Sequence, residues 1–260
     1  MILQLKDIHM SFTNAQNETF DLLRGVNLSV EEGRITALVG GNGTGKTTLF
    51  NIISGFEKGY TGDVIFEGNS FNQLSAHRIS LMGIGRMFQD GQLLSGLTLM
   101  ENMKMASDDK TGEIPFSSLI LPKRWKEAEN KKEAKVKDIL KRIFGENCKY
   151  LSMLNDNASD FSYGEQRILS LARLLMGEDR LLLLDEPTSG VNPVYIDTIE
   201  KIIREMVAEG ITVLMIEHNM HFVRKVADTC AYLDDGVIAK VGPTAEVLDD
   251  KNVRNSYLGL

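Results

Sequence analysis

The chain has 260 residues, 43% hydrophobic and 25% charged, as expected for a globular protein with one large core or two coupled subdomains. Its net charge of -7 argues against a general nucleic-acid-binding surface, and no nucleic-acid partner is expected. No run approaches the roughly 18 apolar residues of a membrane-crossing helix, and two cysteines, Cys148 and Cys230, are too few for a disulfide framework.

In chain order, the opening MILQLKDIHM lacks a basic stretch followed by a long apolar one, so no signal peptide is expected. Residues 1–30 alternate apolar and polar (Ile2, Leu3, Leu5, Ile8, then Leu22, Val26, Leu28, Val30), the pattern of strands with one wet face. Arg34–Val39 is an apolar run suited to a buried central strand. A helix is expected from Lys46 to about Gly55, and a short strand at Asp63–Glu67. Between 90 and 170 strand-like runs give way to helical spacing. Val136, Ile139, Leu140 and Ile143 share one face of a helix. A helix over Arg167–Met176, a strand at Leu181–Leu184, a helix over Val194–Ala208 and a strand at Ile211–Ile216 follow. Next come a helix from about His221 and a hairpin, Ala231–Val241, around Asp234-Asp235-Gly236. Alternating strands and helices imply an α/β fold with a mainly parallel sheet covered on both faces.

Gly40-Gly41-Asn42-Gly43-Thr44-Gly45-Lys46-Thr47 fits the pattern G-x-x-x-x-G-K-[ST] in full, with a strand before it and a helix after it. Glycines let the backbone close around a ligand, and backbone N–H groups at a helix N-terminus bind phosphate oxygens. Lys46 is placed to hold the β- and γ-phosphates and the Thr47 hydroxyl to bind Mg²⁺, so Gly40–Thr48 reads as a nucleotide site. Leu181-Leu182-Leu183-Leu184-Asp185-Glu186 reads as a buried strand ending in two carboxylates, at the strand end where open α/β sheets bind ligands. Asp185 can hold Mg²⁺ there, and Glu186 can act on an attacking water as general base. Ser162 can cap the following helix, and His218 can hydrogen-bond a γ-phosphate or the water. His218 and His221 form an H-x-x-H pair without a third ligand nearby, so a zinc site is not expected.

With these residues in view, the chain resembles the nucleotide-binding subunits of ABC transporters over nearly its full length. Phe161-Ser162-Tyr163-Gly164-Glu165-Gln166 is similar to the family's signature sequence, with Tyr163 where glycine is commoner. Gln89, after Phe88, matches the glutamine of the loop that leads to the helical subdomain; His218 matches the switch histidine. Ser189-Gly190-Val191-Asn192-Pro193 matches the loop after the catalytic glutamate, with Asn192 for the usual aspartate; Phe12 falls where an aromatic ring stacks on adenine, with Phe20 as a rival.

The resemblance implies a P-loop NTPase core with an antiparallel β subdomain (1–89 and 173–260) and an inserted helical signature subdomain (90–172), together one ABC ATPase domain. It implies ATP and Mg²⁺ as cofactors, the metal on Thr47, Gln89 and Asp185, and Glu186, His218, Gln89 and Lys46 in catalysis. Nucleotide contacts fall to Phe12, Gly40–Thr48 and, from a second copy or homologous subunit, Ser162, Gly164 and Glu165. Membrane-embedded permease subunits would be separate chains, with this one peripheral on the cytoplasmic face of the inner membrane. Tyr163, Asn192, Gly83–Gln89 and the tail Ser256-Tyr257-Leu258-Gly259 resemble subunits of branched-chain amino-acid or urea importers. The tail and Ser189–Pro193 also resemble the lipopolysaccharide-export subunit. A soluble ABC-type ATP switch in DNA repair or translation is the third reading. Two further features have two readings each. Met82, Met87, Met100, Met103 and Met105 suit either a pocket for a membrane subunit or core filling. The nine basic and four acidic residues of Lys123–Arg142 suit either lipid headgroups or a solvated helix face.

Overall fold

The computed structural model describes residues 1–13, 17–89, 93–107 and 122–258, with backbone alone at 122–123 and 256–258. The tail motif at 256–259, as side chains, therefore lies outside the described residues, as does the Lys123 side chain. The chain divides into two compact units.

The first unit comprises Met1–Gln89, Asp179–Ser189 and Ile203–Leu260 and holds two sheets. The alternating N-terminal residues form β1 (Leu3–Thr13) and β2 (Thr19–Val30), which pair antiparallel; β1 also pairs with β4 (Thr61–Phe66), and β4 with β5 (Asn69–Ser70). The second sheet runs β10-β9-β3-β8-β7-β6. Its strands β3 (Ile35–Val39), β6 (Ile84–Met87), β7 (Leu181–Asp185), β8 (Thr212–Ile216) and β9 (Thr229–Asp234) are parallel, and β10 (Val237–Pro243) closes one edge antiparallel to β9. Every residue of β3, β7 and β8 is buried, as their continuous apolar runs require. One hydrophobic cluster joins Leu3, Leu5 and Ile8 of the antiparallel sheet to Leu38, Leu183 and Leu214 of the parallel one. Helix α1 (Lys46–Ile53) follows β3, and the short α2 (Ala76–Ser80) precedes β6.

The second unit comprises Asp90–Glu178 and Gly190–Ile202. It carries α3 (Leu99–Lys104), the 23-residue α4 (Pro122–Phe144), α5 (Tyr163–Arg173) and the start of α6 (Ile196–Ala208). Among its described residues the one strand-like feature is an isolated bridge between Thr98 and Asn157. Val136, Ile139, Leu140 and Ile143 are all buried, so the i, i+3, i+4, i+7 spacing marks the core face of α4. Lys104 Nζ joins α3 to α4 by ion pairs with Glu129 (2.6 Å) and Glu133 (2.9 Å). Of the methionines, Met87 and Met103 are core residues, and Met105 is 62% exposed.

Two helix starts differ from the sequence expectation. Helix α5 begins at Tyr163, a full turn before Arg167, because Ser162 and Glu165 form a reciprocal capping box that stabilises the first turn. The helix expected from Val194 opens as a 3₁₀ turn, Pro193–Tyr195, and becomes α-helical at Ile196, since Asn192 caps the turn through Val194 N. In the remaining chain, α7 (Met220–Val226), α8 (Thr244–Leu248) and α9 (Lys251–Leu258) complete the first unit.

Leu183 is fully buried in the central strand β7. Leu183→Ala is expected to lower unfolding stability by about 2–5 kcal/mol, through lost transfer energy and a residual cavity. Urea unfolding followed by circular dichroism checks this.

Candidate active site

Parallel register sets the site. Leu38 of β3, Ile216 of β8 and Asp185 of β7 stand opposite one another, so three adjacent strands end at one level. The chain leaves β3 into the phosphate loop, β7 into Glu186, and β8 into Glu217 and His218. Residues 185–186, 217–218 and 40–48 are thus delivered to the same edge of one sheet.

The phosphate loop is shaped for an anion. Gly43 and Gly45 have positive φ (77° and 100°), and Gly45 occupies the N-cap of α1 without any side chain to cap it. There is no acidic residue in the first turn, so no side chain of the helix itself competes for its leading N–H groups. A Cβ at Gly45 would lie 2.6 Å from Leu23 Cδ2, in a backbone region that L residues rarely adopt. Lys46 is buried, its Nζ donating to the carbonyls of Gly40 (2.8 Å) and Gly41 (2.7 Å). Burial pulls its pKa down, and the charges of Glu186 and Asp185 oppose that shift. A cavity of about 200 Å³ opens here, bounded by Asn42, Gly43, Thr47, Thr48, Glu186 and His218, together with Leu22, Gly45 and Lys46. A second hollow of about 290 Å³ adjoins the loop on the side of Asp21, Thr44 and Asp234.

Glu186 has φ 47°, a left-handed conformation that is uncommon for a non-glycine residue. Its N–H donates to Ile216 O (3.0 Å) and its carbonyl accepts from Ser189 N (3.1 Å), so strand β8 and its own loop hold the bend. The bend places the carboxylate between two partners. Gln89 Nε2 donates to Oε2 at 2.9 Å, and His218 Nε2 lies 3.1 Å from Oε1. Thus Glu186, Gln89, His218 and Lys46, spread over 173 positions of sequence, meet in one group.

Two residues that sequence reasoning left without a role organise this group. Glu217 is 2% exposed; its Oε2 accepts from Thr188 N (3.2 Å) and Oγ1 (2.8 Å), and its Oε1 from His218 N (2.8 Å) and Asn219 N (3.0 Å). It ties the loop carrying Glu186 to the loop carrying His218. Arg86 is the second. Its Nη2 pairs with Asp185 Oδ2 at 3.0 Å, both side chains being almost wholly buried. A polar residue beside His218, and an arginine in an otherwise apolar strand, were the available signals.

Phe12 is partly buried against the core cluster and faces Phe20, 6.1 Å away between ring centroids; Phe20 is exposed. The cavity's wall from this hairpin is Leu22, not Phe12. For a divalent cation, Thr47 and Asp185 offer hard oxygen donors at the ends of α1 and β7, as does the amide carbonyl of Gln89. Such a set suits Mg²⁺, which takes one or two protein oxygens and its remaining ligands from phosphate and water. Among the described residues no group of three or more His, Cys, Asp or Glu could hold a metal.

Ser162, Gly164 and Glu165 lie in the second unit and form a group of their own. The Glu165 carboxylate accepts from Ser162 N (2.9 Å) and Oγ (2.7 Å), pairs with Lys149 and accepts from Tyr150 OH (3.4 Å). Partial burial alone would raise its pKa, but Lys149 and Ser162 reverse this and bring it to about 2. A Cβ at Gly164 would lie 2.6 Å from the Tyr195 ring, so a larger residue there would have to displace that ring. The Tyr163 ring packs over Gly190.

Because its folded pKa is depressed, Glu165 stabilises the protein above its unfolded value near 4.5, and that contribution disappears as pH falls to about 2. Glu165→Gln should therefore be less stable than the parent at pH 7, with the gap shrinking below about pH 4.5. Thermal unfolding across pH 7 to 3 tests this.

The family model described as ABC transporter matches residues 23–189. The chain is 31% identical over 238 residues to the high-affinity branched-chain amino acid transport ATP-binding protein BraF of Pseudomonas aeruginosa, covering 91% of each chain. It is 35% identical over 237 residues to a probable branched-chain amino acid transport ATP-binding protein, LivG, of Archaeoglobus fulgidus, covering 91% of this chain and 89% of that one. Among solved structures, the ADP conformation of MJ1267, an ATP-binding cassette of an ABC transporter, superposes with a TM-score of 0.80 at 31% identity, covering 100% of this chain and 99% of that one. The glycine-cradled loop, the paired carboxylates at the end of β7 and these likenesses agree: the chain belongs to the ABC transporter family and is an ATP-binding ATPase subunit.

Proposed function

We propose that this subunit hydrolyses ATP to power an importer of branched-chain amino acids or a related small solute. The observation that carries the catalytic part is the Glu186 carboxylate held between Gln89 and His218 beside the phosphate loop. The names of the BraF and LivG relatives support the substrate class. In this reading Gly40–Thr48 binds the ATP phosphates through backbone N–H groups, and Lys46 exchanges its loop carbonyls for the β- and γ-phosphates. Glu186 accepts a proton from the attacking water, and His218 orients that water or the γ-phosphate. Thr47, Asp185 and Gln89 would hold Mg²⁺, which when bound would neutralise charge on the phosphates. Phe12, its ring beside that of Phe20, is the adenine-stacking candidate.

Each motif occurs once per chain, so Ser162 and Gly164 would serve the nucleotide of a second subunit, in a homodimer or heterodimer. The acidic Glu165 has its carboxylate on Ser162, Lys149 and Tyr150, and we assign it to shaping the Ser162 turn. The segment 90–172 acts as the signature subdomain within a single 1–260 ATPase domain. Among the described residues no helix is long and apolar enough to cross a membrane. The permease is accordingly assigned to separate membrane subunits, with this chain peripheral on the cytoplasmic face of the inner membrane.

Glu186→Gln should lower ATP turnover at least 100-fold, as removal of a general base does, while retaining ATP binding. A dimer that persists in ATP should appear by light scattering. Retained hydrolysis would refute the general-base assignment. Affinity purification of the tagged chain from native membranes should recover multi-span subunits and a solute-binding protein; recovery of soluble partners alone would favour an ATP switch.

A further inference from the structure

Arg86 is buried where burial is expensive. Its side chain is 5% exposed, and its Nε has no hydrogen-bond partner. Both terminal nitrogens of the guanidinium are engaged. Nη1 donates to Asn51 Oδ1 and to Ser54 Oγ, each at 2.8 Å, both on or just beyond α1. Nη2 donates to Asp185 Oδ2 at 3.0 Å. The Phe88 ring lies 4.5 Å from the guanidinium carbon, with Phe50 and Phe56 at 5.7 and 6.0 Å. A buried ion pair with an unmet N–H is a poor source of stability, since apolar residues of like volume serve as well or better. The arrangement instead fixes a direction. One fork of the guanidinium is pinned to the helix that carries Lys46 and Thr47, and the other holds one oxygen of the carboxylate at the end of β7.

We propose that Arg86 is a positioning residue for the divalent cation: by holding Asp185 Oδ2, it presents the rest of that carboxylate toward the cation bound with the ATP phosphates. This rests on the reading of Asp185 as a Mg²⁺ ligand. The planar guanidinium suits the task, because its fixed N–H directions tie Asp185 Oδ2 and the α1 anchors to one rigid group, whereas an ammonium supplies only a point charge. Outer partners of metal ligands commonly contribute 10–100-fold to metal affinity. Arg86 is also three residues before Gln89, so one short segment supplies the partner of Asp185 and the partner of Glu186.

The test measures ATP affinity of the full chain by equilibrium dialysis, once in EDTA and once in excess Mg²⁺. Arg86→Lys should leave the EDTA affinity within about twofold and reduce the gain from Mg²⁺ roughly tenfold. Ser54→Ala combined with Asn51→Ala keeps the charge and removes its anchors, and should act in the same direction; it decides the matter if Arg86→Lys does not fold. Equal losses with and without Mg²⁺ would show a purely structural pair and overturn the proposal. So would an unchanged Mg²⁺ gain in both variants. Asp185→Asn separates the premises. A Mg²⁺ gain lost there but kept in Arg86→Lys and in the Ser54/Asn51 double variant overturns the role of Arg86 alone, whereas a gain kept in Asp185→Asn removes the assignment of Asp185 and the proposal with it.

Discussion

Three parallel strands ending at the same level are the constraint on which the chemistry depends. The alignment of Leu38, Ile216 and Asp185 is fixed by backbone ladders between buried strands, and those strands are held by apolar packing on both faces. A one-residue slip in such a sheet would turn each side chain to the opposite face and disrupt close packing on both sides, so packing holds the register. The phosphate loop, the two carboxylates and the histidine then arrive together without any element having to reach. Glu217 adds the fine adjustment. With four hydrogen bonds to two loops, its carboxylate makes the separation of Glu186 and His218 a property of the fold rather than of loop motion.

Much of this was legible in the sequence wherever the determinants are local. The phosphate loop is one contiguous pattern, and continuous apolar runs announce β3, β7 and β8 as doubly buried. The core face of α4 follows from spacing alone. What escaped depends on distant pairs. Arg86 meets Asn51, Ser54 and Asp185 across 35, 32 and 99 positions, which no window of the sequence can relate. Glu217 reads as one more polar residue after a strand until Thr188 is seen to donate to it. The late start expected for α5 is a different kind of miss. Ser162 and Glu165 stand at capping-box spacing, a local signal that outweighs the low helix propensity of Tyr163 and Gly164.

The helical unit shows how a departure from a common motif is accommodated. Tyr163 sits over Gly190, and Tyr195 occupies the space that a side chain at Gly164 would need. Each ring fills room that a glycine of the facing segment leaves, Tyr163 of the signature turn over Gly190 and Tyr195 over Gly164 of that turn. The same turn is held electrostatically, Lys149 and Tyr150 meeting the carboxylate that in turn holds Ser162. Asn192, standing for the usual aspartate, still caps its turn through the side-chain oxygen, since that task requires an acceptor rather than a charge.

The left-handed backbone at Glu186 sets folding and chemistry against each other at a single residue. Glycine or asparagine would adopt φ 47° more readily, and a non-glycine residue held there carries strain on the order of 1 kcal/mol. A search of variants for thermal robustness alone would therefore drift toward discarding the very side chain that faces the nucleotide loop. Consensus or stability-guided redesign of this subunit has to treat position 186 as exempt, and an unusually heat-resistant variant altered there would be suspect as a catalyst before it was assayed.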